Sequence, residues 1–171
     1  MSVSNGTPKK IIDRIVKGLI VKMNLTDAEC YPAIAPAYVS GQTERVIQVV
    51  DGTARPDGRG QGGQEGGALI RRKTIRIVVW WRVHFDMKDM SRELLTREHE
   101  GMLDFLETVK NVLSHTFLGE NVLIEPLFNE GETENQWYDK DRGIVRKDLI
   151  VSGAYGEILP TTLTLLESDF A

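Results

Sequence analysis

Apolar residues recur along the chain with two periods, and the switch between them marks out the elements. Ile11, Ile12, Ile15, Val16, Leu19 and Ile20 fall three and four apart, the spacing of one buried helix stripe, with Lys10, Asp13, Arg14 and Lys17 on the opposite face. Thr7 as N-cap and Pro8 at the first helical position predict a start there and an end near Met23. Two short strands follow, Tyr31 to Ser40 and Glu44 to Val50, with a turn at Gly41-Gln42. Pro32 and Pro36 cannot donate to a ladder, so the first strand is expected to be short, bulged or at a sheet edge. From Leu69 to Met87 the period is two. Ile75, Ile77, Val79, Trp81, Val83 and Phe85 share one face, while Thr74, Arg76, Val78, Trp80, Arg82 and His84 share the other.

A second helix is predicted from a Ser91 cap to Phe117, with Leu95, Met102, Leu106, Val109 and Leu113 on one stripe and Gly119 as a stop. A strand from Val122 to Phe128, an acidic loop Asn129 to Gln136 and a strand from Ile144 to Tyr155 complete the pattern. In that last strand Val145, Leu149, Val151 and Tyr155 share a side. The end, 158–171, carries Leu159, Leu163, Leu165, Leu166 and Phe170 and is expected to dock. Between the strands lies Gly52 to Gly67, in which seven of sixteen residues are glycine. It cannot hold a fold alone and is expected to be a loop, ordered only by lying along a neighbour. Helix, strands, loop, strand, helix, strands describes a single α+β domain over 1–171, an antiparallel or mixed sheet with two helices packed on one face.

Composition fits that picture. The 171 residues, 41% hydrophobic and 27% charged, could bury roughly 70% of the unfolded surface. A net charge of −4 speaks against a protein built to grip nucleic acid or an anionic membrane. The single Cys30 allows no internal disulfide, and no stretch reaches the ~20 apolar residues of a membrane span. The polar start lacks a signal-type core, which points to the cytoplasm or to export inside a particle.

Candidate chemistry is sparse. His84, His99 and His115 form no ligand-spaced pair, so no metal and no cofactor are expected. The glycine-rich segment lacks Gly-Lys-Ser/Thr and leads into a strand, which rules out a P-loop. Ser152 lacks the nucleophile-elbow context. Pro56-Asp57 with Asp86-Met87-Lys88 has the spacing of a Mg²⁺-dependent PD-(D/E)xK nuclease, but a metal ligand in a glycine loop has nothing to fix it. No catalytic residue is assigned.

Charge placement carries more. Gly52 to Arg82 holds seven basic residues against two acidic ones, a surplus of five that leaves −9 for the remainder. This is either a solvated strand end or a handle for an acidic surface, such as Glu130, Glu132, Glu134, Asp139 and Asp141 of an adjacent copy. The face bearing Val78, Trp80 and Ile150 lacks an obvious cover once both helices sit on the other face. A neighbouring copy is the expected shield, and the C-terminal segment the alternative.

The order of elements resembles that of the tail terminator, or tail-completion, proteins of long-tailed bacteriophages. The resemblance spans Lys10 to Glu157: the opening helix, Ala33-Ile34-Ala35-Pro36, a long hairpin-like arm, Ile75 to Phe85, Arg92 to Phe117 and Asp148 to Tyr155. It is one of layout, without signature residues, and the glycine-rich loop is longer than usual. It implies a virion structural protein, assembled in the host cytoplasm, whose copies form a hexameric ring on the tail tube protein and offer a docking surface to the head–tail connector proteins. DNA would pass through the lumen without specific binding. In such a ring Arg76, Trp80 and Arg82 would lie between subunits, and Arg71, Arg72 and Lys73 would reach a neighbour or the tube. A head–tail connector or stopper shares this layout.

Overall fold

The computed structural model describes residues 7–38, 44–57, 69–82, 101–120, 122–139, 141–157 and 167–170. Helix α1 spans Pro8–Met23, with the Thr7 hydroxyl accepting from Lys10 N at 3.2 Å and Asn24 closing the helix in the left-handed conformation at φ 53°. Strand β1 is Cys30–Ala33, β2 Arg45–Pro56 and β3 Leu69–Arg82. Helix α2 is Met102–Leu113, followed by β4 Phe128–Glu132, β5 Gln136–Asp139, β6 Ile144–Glu157 and a 3-10 turn at Glu167–Phe170.

The six strands form one sheet in the order β1-β2-β3-β6-β4, with β5 also paired to β6. β1 runs parallel to β2 and every other pairing is antiparallel, so the α+β class with a mixed sheet is what the chain adopts. β1 is a four-residue edge strand containing Pro32, the place where a missing N–H costs no ladder bond. β3 is central and lies against β6 along its whole length, from Leu69↔Glu157 to Arg82↔Ile144.

The alternation in β3 and β6 sorts side chains as the sequence predicts. On the first face Ile47, Val49, Ile75, Ile77, Val79, Leu149 and Val151 meet Ile11, Ile15 and Leu19 of α1 and Met102, Leu106 and Val109 of α2. Each such side chain taken fully out of water contributes about 1.5–3 kcal/mol, so this face is the main core.

Four expectations need correction. The predicted glycine loop does not begin at Gly52: β2 continues to Pro56 through a bulge between Asp51 and Ala54, held by the long partner β3. A Cβ on Gly52 would stand 2.1 Å from Thr74 O, so glycine is needed for close approach rather than for mobility. Residues 122–127 are not a strand but an irregular segment whose Val122, Leu123 and Leu127 join the core. Its backbone is tied down by Ile124 N to Ala154 O (2.8 Å) and Leu127 N to Thr116 O (2.8 Å). The expected acidic loop is largely two short strands, β4 and β5, on the outer edge of β6. Finally, α2 ends at Leu113 and not Phe117, because His115 and Leu118 adopt left-handed backbone at φ 53° and 60°. Its expected start at Ser91 and the strand beyond Arg82 lie outside the described residues, as does most of 158–171. Phe170 in the C-terminal turn is 73% exposed, so that side chain is not docked.

Candidate subunit-interface residues

The alternation of β3 delivers Thr74, Arg76, Val78, Trp80 and Arg82 to the second face, but Trp80 is not waiting for a partner there. It is 2% exposed, in a small second core with Val46, Val50, Val78 and Ile144. The cover comes from β1, which lays Tyr31 and Ala33 over this face, and from the irregular chain after it, which adds Tyr38. Tyr38 and Tyr138 meet the indole edge-on, with ring centroids 5.9 and 5.1 Å away, the favoured geometry for aromatic pairs. The Arg146 guanidinium lies 5.6 Å from the ring centroid. That cation is fixed by two bonds to Asp148, 2.7 and 2.6 Å, which also raise its pKa.

Gln48 holds this cover in place. Its Oε1 accepts from Trp80 Nε1 at 2.8 Å and from Ala37 N at 3.2 Å, and its Nε2 donates to Ala37 O at 2.6 Å and Tyr31 Oη at 2.9 Å. One buried amide thus pairs the indole with the crossing segment, as a buried polar group must be paired. The expectation that a second copy or the C-terminal segment shields Trp80 is therefore corrected: residues 31–38 and Tyr138 do so.

The basic run is likewise neutralised at home. Arg71 pairs with Glu157; Arg72 contacts Asp57 and Glu125, each at 3.2 Å, and Ser152 Oγ at 3.3 Å. Lys73 is 4% exposed, pairs with Asp51 and donates to Gly52 O at 2.6 Å. These three were expected to reach a neighbour or the tube, and each is instead held by its own chain. Arg76 is half-exposed beside Asp148 at 3.6 Å. Arg82 Nε is buried without a hydrogen-bond partner among the described residues. Of the acidic candidates, Glu130 accepts from Ser152 Oγ at 2.5 Å and Glu132 lies 3.0 Å from Lys110 and 3.6 Å from Lys147. The Lys110 hydrogen bond, opposed by burial and aided by Lys147, lowers the Glu132 pKa. Glu134 is exposed. The partners that neutralise the basic run could not be read from spacing: Glu157 is placed by the β3–β6 register, Asp51 and Asp57 by the β2–β3 pairing, and Glu125 by the irregular segment after α2.

Among the described residues the nuclease-like pattern does not come together. Asp57 of the nuclease-like pattern is engaged by Arg72, while Asp86 and Lys88 lie outside the described residues. Among the described residues no three His, Cys, Asp or Glu side chains converge as metal ligands. Burial, with a smaller push from Asp27, raises the Cys30 thiol to about 12, so it stays protonated and unreactive.

No family model matches the chain, and no curated protein matches it.

Two of the open surfaces among the described residues combine charge with exposed apolar side chains. One is a groove of about 330 Å³ between α1 and the end of α2, floored by Gly18 and lined by Arg14, Lys17, Val21, Lys22 and Leu118. The other is the β4–β5 edge, where Phe128, Trp137 and Tyr138 are 60%, 40% and 58% exposed.

Proposed function

We propose that this chain is a virion structural protein of the tail-terminator kind, whose copies form a ring at the end of a phage tail tube and present a surface to the head–tail connector. The observation that carries the reading is the layout: an amphipathic helix, a short edge strand, a long hairpin, a second helix on the same face and a long return strand. That is the arrangement the resemblance implies. The reading draws nothing from Trp80, which the chain covers by itself.

Open surfaces at different places on one subunit suit head-to-tail contacts, which close into a ring of fixed copy number when the rotation allows. In this reading DNA threads the lumen without specific contact, as suits a net acidic subunit.

Native mass spectrometry and electron microscopy of the purified protein, alone and with the tail tube protein, test the proposal. Rings seated on tube ends support it. Tubes that keep growing in its presence, with the protein still monomeric, overturn it, and binding only to head-side rings assigns it to the connector class. A Mg²⁺-dependent DNA cleavage assay on the wild type and Asp86→Ala addresses the nuclease alternative: cleavage by the first and not the second would replace the structural reading.

A further inference from the structure

Helix α1 carries five cations, Lys9, Lys10, Arg14, Lys17 and Lys22, and one carboxylate, Asp13. Asp13 pairs with Lys9. Arg14, Lys17 and Lys22 are exposed and meet no carboxylate among the described residues, in contrast to Arg71, Arg72 and Lys73 of β3. They rim the groove between α1 and the end of α2, where Val21 is 67% exposed and a Cβ on Gly18 would meet nothing within 4 Å. Basic sides around an apolar floor fit an acidic segment that carries a large apolar side chain.

The chain bears such a segment. From Asn129 to Asp141 it has five carboxylates and one lysine, and Trp137 and Tyr138 stand exposed between Glu134 and Asp141. Glu130 and Glu132 are engaged by Ser152 and by Lys110 and Lys147, and Asp139 by Arg142 at 3.5 Å, which leaves Glu134 and Asp141 for an outside partner. The groove lies on the helix layer and the acidic segment on the β4–β5 edge, so the contact joins two different patches of the subunit, as a head-to-tail contact does.

We propose that the groove of Arg14, Lys17, Gly18, Val21 and Lys22 receives the β5 ridge of a second copy, with Trp137 over Gly18 and Glu134 and Asp141 against the cations. The proposal rests on the reading of the chain as a self-assembling subunit and names the surfaces that join it. Aromatic anchors in a pocket with a charged rim are the composition expected of such a contact. Because the charged rim is exposed, the contact weakens as salt rises and the screening length falls to about 8 Å at 0.15 M.

Charge reversal in two places gives the test, read by sedimentation velocity at low salt and by ring counting on tube ends. Lys17→Glu with Lys22→Glu, and separately Glu134→Lys with Asp141→Lys, should each weaken self-association at least tenfold. An equal mixture of the two variants should restore it, because each reversed groove then meets a reversed ridge. Gly18→Leu fills the groove while favouring the helix, so it should block association with an unchanged or raised melting temperature. Loss in the single variants with rescue in the mixture establishes the contact. If rings form on tubes but all three variants form them equally well, the surfaces are wrong while the ring reading stands. A wild type that stays monomeric at every concentration and on tubes overturns both.

Discussion

Replacing Gln48 by leucine keeps nearly the same volume but removes the four hydrogen bonds that tie Trp80 and residues 31–37 together. The indole N–H is left buried without an acceptor, which costs about 1–3 kcal/mol. Tyr31 Oη and the two Ala37 groups are nearer to water and lose about 0.5 kcal/mol each. The sum is about 2.5–4.5 kcal/mol, which at about 2–4 °C per kcal/mol lowers the melting temperature by about 5–18 °C. Urea unfolding of Gln48→Leu, Trp80→Phe and the double variant measures it. Since Trp80→Phe already removes one donor, the double variant should cost about 1 kcal/mol less than the two singles added. A Gln48→Leu cost below about 1 kcal/mol, or strict additivity, would mean that the amide does not hold the second face closed.

Three further outcomes are expected. Gly52→Ala drives a methyl into Thr74 O and should destabilise by about 2 kcal/mol or more, read by the same unfolding curves. Lys73→Met keeps the buried stem but leaves Gly52 O unpaired and should cost about 1–2 kcal/mol without altering self-association. Glu132 has a folded pKa below its ordinary 4.5, set by Lys110, so its pairing stabilises above pH 4.5 and is lost as pH falls through the folded value. Glu132→Gln should therefore flatten the acid limb of a stability–pH profile, and an unchanged limb would contradict the pairing.

The parts legible from sequence are those whose own periodicity is strong. The α1 stripe and the alternation of β3 and β6 place their residues on the faces that the structure shows. The rest depends on partners distant in sequence. Gly52 to Pro56 has poor strand propensity and is held as strand by the β3 ladder, an override that tertiary pairing commonly imposes. Val122 to Leu127 is apolar enough for a strand, yet its burial serves an irregular crossing. The cover over Trp80 was missed because it comes from a four-residue edge strand containing Pro32 and the irregular stretch with Pro36 beyond it, not from a long regular element. Tyr31 and Tyr38, large side chains flanking those prolines, were the available signal. The charge surplus around β3 was visible, but its neutralisation follows from strand register for Glu157 and Asp51 and from an irregular crossing for Glu125.

Residues 8–38 grip the sheet from both sides, α1 beneath β2 and the stretch through Tyr38 above it. Both cores they help to close also need β6, which is made more than a hundred residues later. On the ribosome the opening stretch must therefore wait with its oily side chains uncovered, and folding can commit only once the last long strand has emerged. Chaperone demand during synthesis should be concentrated in that interval.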